Sequence, residues 1–339
     1  MGKRGLVKYI FSLLYRTIKF IKLMKTYSLL FLAAALVATT VSLMSCSKIE
    51  NIDQFGEEKN AVKFSSNIIT MNPATRANGK TWNENDKIGV YMLESDTIVV
   101  VNAMSNVQYI TEGGGSTGSF KAVSDTIYFP DNGKEVRFMS YYPYTDKVVS
   151  NENGDVYKVD VSDQNNQAAI DLLYSFRTDT VFEKTASKKV VPLVFNHMLT
   201  KLIVNIKAGK GLKKEDLANI TIHFEGLSTA ADFNLFSGSL SNYADTTNIV
   251  PLTVAQGESF EAILIPTAEI PSNAKIVFDL DNVKEGEGIS SDVFTWSFDK
   301  KLIKSTKHIY NVTINRTGIE IEATINDWIN GGEEGITAE

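Results

Sequence analysis

The sequence predicts an all-β protein whose strands pack as sandwiches, because apolar and polar residues alternate along much of the chain. Alternation with a period of two is clearest in four segments: 220–224, 294–298, 310–314 and 319–325. Each segment would carry one apolar and one polar face, as strands do in antiparallel sheets with a single face in a core. Helical patterns are scarce, and only residues 213–219 are expected to form a short helical turn.

Clusters of Asn, Asp and Gly separate these strands, and such residues are typical of turns. The clusters occur at 78–79, 131–133, 151–154, 209–211 and 286–288. Two strand-like pieces, 191–195 and 201–206, follow each other closely, and we place a domain join between them near Leu199.

The first 45 residues predict an export signal of the lipoprotein type. An uncharged, apolar run at 27–45 follows Lys22 and Lys25 and ends directly before Cys46, the single cysteine of the chain. A basic flank, an apolar core and a small residue at the cleavage site are the features of a secretory signal. We therefore expect a peptidase to cut before Cys46, whose thiol would carry lipid. The alternative is a membrane-spanning helix, since these 19 uncharged residues nearly reach the ~20 that a span needs.

The chain is expected to have four parts. Residues 1–45 would be an upstream extension and the signal peptide, with Met24 as a possible start codon. Residues 46–60 would be a polar tether, 61–198 an N-terminal β-sandwich and 199–339 a C-terminal β-sandwich that ends in a donor-type strand. The 294 residues that follow the signal are enough for about two domains of ordinary size.

The charge of the mature chain disfavours nucleic acid as a partner. Residues 1–45 hold seven Lys or Arg residues and no acidic residue, so their removal changes the net charge from −6 to −13. Nucleic-acid binding depends on clustered Lys and Arg at phosphates, whereas such an acidic chain suits a soluble exported protein. Once Cys46 carries lipid no thiol remains, which excludes disulfides and cysteine-based zinc sites.

The sequence offers no catalytic or metal-binding constellation, so we expect no enzyme activity, no metal and no cofactor. His197, His223 and His308 lack the spacing of metal ligands and are expected to be structural. The glycine-rich run at 113–118 lacks the Lys-Ser/Thr ending of a phosphate loop and is expected to be a hairpin loop. A secreted hydrolase is disfavoured because no nucleophile–histidine pair is apparent.

Two stretches, together with the cysteine signal, resemble the fimbrillin family. One runs from Thr75-Arg76-Ala77 through Trp82 to the segment at 86–91, and the other from 191–197 into 201–204. With the Tyr-Tyr-Pro-Tyr segment at 141–144, the resemblance covers about residues 46–330. It implies two transthyretin-like β-sandwich domains in tandem, in an outer-membrane lipoprotein that serves as a structural or adhesive subunit of a type V fimbria (pilus).

The resemblance also implies assembly by strand exchange, with other fimbrial subunits as partners. In stalk subunits of the family, an arginine-specific protease cuts after the first strand, and the C-terminal strand of the next subunit fills the groove by β-augmentation. Here the first strand would be 61–69, with cleavage between Arg76 and Ala77. The donor strand would carry four alternating residues: Ile319, Ile321, Ala323 and Ile325. The alternatives are that Arg76 is an ordinary solvated loop residue and that the last strand simply closes the second sandwich.

Two further expectations concern the surface. Thr97, Thr126 and Thr180 lie in Asp-Thr-aliphatic triplets, which the resemblance implies are O-glycosylation sites; the alternative is that Asp-Thr begins strands.

The second function considered is a surface glycan-binding lipoprotein of a polysaccharide-uptake system, in which aromatic residues stack on sugars. Its candidate platform is Trp82, Trp296, Trp328 and the 141–144 cluster. A fimbrial subunit could also meet a host or bacterial surface ligand.

Overall fold

Strands form nearly all of the regular secondary structure among the described residues, which confirms the all-β fold class. The structure is a computed structural model, and it describes residues 60–68, 81–183, 190–280, 293–298 and 300–327. Cys46, Arg76, Ala77 and Trp328 lie outside these residues, as do the predicted signal and most of the predicted tether. What the sequence predicts for them stays a prediction.

In the described part of the chain, nine strands precede residue 199. They are β1 (Lys63–Ile68), β2 (Lys87–Glu94), β3 (Val107–Thr111), β4 (Thr117–Ala122), β5 (Val136–Tyr142), β6 (Val149–Asn151), β7 (Gly154–Asp160), β8 (Leu173–Ser175) and β9 (Val190–His197). A single turn of α-helix, α1 (Gln167–Ile170), lies between β7 and β8. No helical pattern in the sequence predicts this turn.

Ten strands follow residue 199 among the residues that the structure describes. They are β10 (Thr200–Ala208), β11 (Thr221–Glu225), β12 (Ala230–Asn234), β13 (Ser239–Ala244), β14 (Leu252–Ala255), β15 (Ser259–Leu264), β16 (Lys275–Asp279), β17 (Val293–Ser297), β18 (Thr306–Asn315) and β19 (Gly318–Asp327). A short 3-10 helix, Lys214–Leu217, precedes β11. It confirms the helical turn that the sequence predicts at 213–219.

Seven of the first nine strands close into a barrel in the order β1-β4-β3-β2-β5-β8-β9. β1 runs antiparallel to β4 and parallel to β9, so the ring closes through β1. The barrel interior is apolar and rich in aromatic rings, among them Phe64, Trp82, Phe120, Phe138 and Phe195. The sequence predicts a sandwich in this part of the chain, and the described strands form a closed ring because β1 bridges two strands that would otherwise be edges.

The strands β2 and β5 are buried on both faces. Ile88, Val90 and Met92 of β2 point into the barrel cluster. Tyr91 and Leu93 join a second, larger apolar cluster outside the barrel. Strands covered on both sides show continuous apolar runs instead of alternation, which explains why β2 carries six consecutive buried residues.

The larger cluster is built mainly from two sheets of the second half of the chain. One has five strands in the order β14-β15-β10-β18-β19, and the other has three in the order β11-β16-β17. Alternate residues of β18 and β11, such as Tyr310, Val312 and Phe224, contribute to the same core. The predicted alternating strands at 220–224, 294–298 and 310–314 are therefore confirmed as β11, β17 and β18.

A four-stranded sheet contains strands from both sides of residue 199. Its order is β13-β12-β7-β6, with β7 antiparallel to β12. The Tyr91 hydroxyl of the barrel donates a 2.8 Å hydrogen bond to Asp155 at the start of β7. Two separate transthyretin-like domains with a join at 199 stay a prediction, while β9 and β10 confirm the two predicted strands that flank this position.

Candidate functional site

The candidate site is the groove between β4 and β9 that β1 occupies in the barrel. Both edges of β1 are hydrogen-bonded to these neighbouring strands. Phe64 lies opposite Phe120 of β4 and opposite Val191 of β9. Before β1 begins, the Val62 N–H donates to the Ile127 carbonyl at 2.9 Å, and the Phe129 N–H donates to the Asn60 carbonyl at 3.1 Å. The first strand that the sequence predicts at 61–69 is thus confirmed, and it occupies an interior position of the sheet.

Alternate side chains of this segment fill the barrel core. Val62, Phe64 and Ile68 are all buried, as the sequence predicts for one face of the first strand. Phe64 is 2% exposed and packs edge-on against Tyr109 and Phe138, with ring centroids 5.0 and 5.1 Å apart. Edge-to-face packing of this kind stabilises aromatic pairs beyond simple burial. Loss of residues 62–68 would therefore open three apolar sites along the groove between β4 and β9.

The wall of the groove includes a tyrosine that holds the next loop in place. The buried Tyr109 hydroxyl accepts a 3.0 Å hydrogen bond from the Ile127 N–H. Burial raises the pKa of Tyr109 to about 12, so this hydroxyl stays neutral. The Ile127 carbonyl remains aimed at Val62, which extends the groove beyond the end of β4.

The third of the four inward positions of this segment is small and crowded. Ser66 lies opposite Gly118, and its hydroxyl is buried with no hydrogen-bond partner among the described residues. A Cβ added at Gly118 would lie 3.0 Å from Ser66 Oγ, 3.0 Å from Trp82 Cδ1 and 3.1 Å from Phe120 Cε2. Gly118 therefore lies at the base of a narrow site that the rings of Trp82 and Phe120 enclose. Neither Ser66 nor the role of Gly118 was predicted from the sequence, although a lone serine within an apolar alternation was a visible signal.

The far end of the groove is a small cavity around Ile68. Its lining includes Thr81, Trp82, Tyr142 and Leu173. Asp86 also lines it, and burial raises the pKa of this carboxyl despite hydrogen bonds from the Asn83 N–H and the Tyr142 hydroxyl. Both Ile68 and Thr81, the described residues on either side of the sequence segment 69–80 that contains Arg76 and Ala77, line the cavity.

The second part of the candidate site is the last strand. β19 lies at the end of its five-stranded sheet and pairs with β18 over ten residues. Ile319 and Ile321 are partly buried against the larger cluster. The register places Ala323 opposite Tyr310 and Ile325 opposite His308. The four predicted donor residues therefore share one strand at the edge of the sheet, and their role as a donor strand stays a prediction.

The three histidines are not brought together. His197 Nδ1 lies 2.9 Å from Asp171 Oδ1, in the barrel wall, and His223 Nε2 lies 2.9 Å from Glu225 Oε1. His308 is fully buried in β18, and burial lowers its pKa to about 4. Within the described ranges, no three His, Cys, Asp or Glu side chains cluster in a way that could hold a metal ion.

The aromatic residues considered for sugar stacking are mostly in the core. Trp82 is 2% exposed and Tyr141 is 0% exposed. Trp296 is partly buried and packs against the Tyr310 ring at a centroid distance of 5.0 Å. These residues therefore do not provide the exposed, coplanar platform that the glycan-binding alternative requires.

Of the three candidate glycosylation residues, Thr97 and Thr180 are exposed and Thr126 is partly buried. Arg137 holds the segments of the first two together. It donates from Nε to the Ser95 carbonyl at 2.7 Å, and from its guanidinium to the Thr178 and Asp179 carbonyls. Thr97 and Thr180 therefore lie in two turns that Arg137 connects.

The part of the chain that the structure describes has no helix long and apolar enough to span a membrane.

Comparison with known proteins gives one consistent result. A family model described as fimbrillin-like matches residues 75–328. Fim1C of Bacteroides uniformis, a proposed fimbrium subunit, is 35% identical over 313 residues, which cover 91% of this chain and 98% of that protein. The crystal structure of a proposed cell adhesion protein from Bacteroides uniformis is 30% identical, with a TM-score of 0.64, and covers 82% of this chain and 100% of that chain. A proposed cell adhesion protein from Bacteroides ovatus, 23% identical, has the same fold with a TM-score of 0.60, over 81% of this chain and 99% of that chain.

Proposed function

The chain belongs to the fimbrillin-like family, and from this premise we propose that it is a fimbrial subunit that polymerises by exchange of its first strand. As a fimbrial structural subunit it acts at the cell surface and is not an enzyme. The observation that carries the proposal is the position of β1. This strand closes the barrel between β4 and β9, yet it is joined to the rest of the chain through the segment that contains Arg76.

Cleavage after Arg76 would make β1 a separate peptide held only by noncovalent contacts. The three buried apolar side chains of residues 62–68, which are Val62, Phe64 and Ile68, contribute roughly 1.5–3 kcal/mol each, or about 5–9 kcal/mol together. The backbone hydrogen bonds of both edges add to this. Departure of β1 would leave two unpaired strand edges and an open apolar groove, which is a strong template for another strand.

The proposed donor is β19 of a neighbouring subunit. This strand is at the edge of its sheet and has a single strand partner, β18, among the described strands. Its apolar residues alternate as a groove-filling strand requires. In the free subunit β19 would cover part of its own core, and in the polymer it would fill the groove of the next subunit.

Export and anchoring complete the proposal. We propose that the chain leaves the cell as a lipoprotein, lipidated at Cys46, and that residues 46–60 tether it to the outer membrane before cleavage. The mature part would form the two domains 61–198 and 199–339, with transthyretin-like sandwich organisation. Thr97, Thr126 and Thr180 are proposed sites of O-glycosylation, supported by the exposure of Thr97 and Thr180.

The proposal is tested by Arg76→Lys, which keeps the positive charge but removes the site of an arginine-specific protease. Surface fractions should contain a longer, membrane-bound monomer in place of the polymer ladder. Lys80→Ala is the matched control, because it changes a basic residue of the same segment and should assemble normally. A full polymer ladder from Arg76→Lys would refute processing at this residue.

A further inference from the structure

We propose that the groove of β1 accepts the β19 strand of a second copy of this chain in a single register, with Ala323 in the place of Ser66 and Gly118 as the residue that selects it. This inference rests on the strand exchange proposed above. It adds the direction and register of the incoming strand, and it names the groove residue that enforces them.

The resident strand and the proposed donor share one pattern of side-chain size. The inward-facing residues of the resident segment are large, large, small and large: Val62, Phe64, Ser66 and Ile68. The last strand offers the same order at the same spacing: Ile319, Ile321, Ala323 and Ile325. Since side chains of a strand reach the same face at every second residue, the two sets can occupy the same four sites.

The small site has a structural reason. Ser66 Oγ, Trp82 Cδ1 and Phe120 Cε2 converge within 3.1 Å of one point above Gly118. Trp82 and Phe120 are packed edge-on against each other with centroids 5.3 Å apart, so neither ring can move freely. Overpacking such a site forces neighbouring side chains from their preferred conformations. A donor is therefore accepted when it presents a small residue here.

This requirement selects one arrangement. With β19 running in the direction of β1, Ala323 falls on the Ser66 site while the other three isoleucines fall on large sites. With the direction reversed, Ile321 falls on the small site. A shift by two residues in either direction also brings an isoleucine there. A reversed and shifted strand could place Ala323 correctly, but Asp327 would then enter the apolar site of Val62, where an unpaired charge is costly.

Charge supports the same direction. Lys121 is the next residue along β4 after Phe120, on the side of Lys63. Like charges on neighbouring strands are unfavourable, and opposite charges are favourable. In the proposed register Glu320 replaces Lys63 beside Lys121, whereas in the reversed register Thr324 would occupy this position.

The resident strand β1 should also bind less tightly at the small site than the donor strand β19 does. The Ser66 hydroxyl is buried without a partner among the described residues, and such a group carries a desolvation penalty. Alanine has no hydroxyl to desolvate. An Ala323→Ser donor should therefore assemble on the order of tenfold less well than the wild type.

Cysteine cross-linking in full-length chains on the producing cell tests the register. Thr117 is exposed and lies opposite Asn67, a position that Thr324 would take in the proposed register. Thr117→Cys is combined in turn with Glu320→Cys, Glu322→Cys, Thr324→Cys or Asn326→Cys. Cross-strand neighbours fall within the Cα distance of a disulfide, and Cys46 is the only native cysteine, so the wild-type chain is the control.

We expect an intermolecular, reducible ladder that is strongest with Thr324→Cys. A ladder strongest with Glu320→Cys would overturn the direction, and one strongest with Glu322→Cys or Asn326→Cys would overturn the register. Fimbriae that form without a cross-link at any of the four positions would also overturn it. Absence of fimbriae from the wild-type chain would instead refute the strand exchange on which the register rests.

A second pair of variants tests the role of the small site. Ala323→Leu should reduce polymer yield by more than tenfold, whereas Ile321→Leu, which conserves volume at a large site, should stay within about twofold of the wild type. Thermal melting of the uncut chain checks that each variant folds. Equal polymer yields from two well-folded variants would overturn the assignment of Gly118 as the selecting residue.

Discussion

Phe64→Ala should weaken the uncut subunit and leave the assembled polymer unchanged, because Phe64 belongs to the strand that assembly discards. In the uncut chain this ring is 2% exposed and packs between Tyr109 and Phe138. Replacing a buried Phe by Ala costs about 3–5 kcal/mol through lost transfer energy and the cavity left behind. With roughly 2–4 °C per kcal/mol for a unit of this size, the melting temperature should fall by roughly 6–20 °C.

The assay compares two forms of the same variant. Uncut Phe64→Ala protein is unfolded by heating and, separately, in urea, and fimbriae assembled from cleaved Phe64→Ala subunits are dissociated by heating in detergent. The uncut form should unfold at a lower midpoint, while the fimbriae should dissociate at the wild-type temperature.

Two variants serve as controls. Asn67→Ala changes an exposed residue of the same strand and should shift neither midpoint, since surface changes usually stay within about 0.5 kcal/mol. Phe120→Ala changes a buried wall residue of β4 and should weaken both forms, because β4 remains in the polymer. Fimbriae that lose as much stability from Phe64→Ala as the uncut chain does would show that β1 is retained, and would refute strand exchange.

Four further outcomes are expected. Ser66→Ala should stabilise the uncut chain by about 1 kcal/mol, because it removes a buried hydroxyl without a partner; a lower urea midpoint would contradict this. Burial lowers the pKa of His308 from its ordinary 6.5 to about 4, so the unfolded chain binds the proton more readily than the folded chain does. The free energy of unfolding should therefore fall by up to roughly 3 kcal/mol as the pH drops from 6.5 to 4. Urea unfolding across this range should show a smaller pH slope for His308→Gln, and an unchanged slope would exclude His308 as the cause. Cys46→Ala should abolish labelling with a lipid precursor and release the protein from the membrane fraction, and unchanged fractionation would count against a lipid anchor. Mass spectrometry of the native protein should find glycan on peptides that carry Thr97, Thr126 and Thr180; unmodified peptides at all three would reject these sites.

The sequence was most informative where a strand covers the core with one face. Strands β11, β17 and β18 follow the predicted alternation, because one face of each lies in the core and the other in solvent. The first strand was predictable for the same reason, since Val62, Phe64 and Ile68 alternate with Lys63 and Asn67.

The pairing of strands could not be read from local pattern. The parallel contact of β1 with β9 joins residues more than a hundred positions apart, and the shared sheet of β7 and β12 joins residues about seventy apart. Neither contact leaves a local signal. β13 is almost wholly exposed and lacks alternation, so its strand character depends on pairing with β12.

The small site at Gly118 depends on several distant segments at once. Ser66, Trp82 and Phe120 meet there only after the barrel closes. From the sequence alone Gly118 looked like the end of a glycine-rich loop, and the structure places it inside β4 opposite Ser66. The opposite holds for the cysteine signal and the Arg76-Ala77 dipeptide. Both can be recognised in the sequence, but both lie outside the described residues.

The most direct test of strand exchange is the N-terminal sequence and intact mass of subunits recovered from purified fimbriae. If β1 is removed and replaced, the subunits begin at Ala77, their mass lacks residues 46–76, and no peptide from Lys63–Ile68 remains with the polymer. Subunits that begin at a lipidated Cys46 and retain this strand would contradict strand exchange and would identify the chain as an uncut tip or anchor subunit.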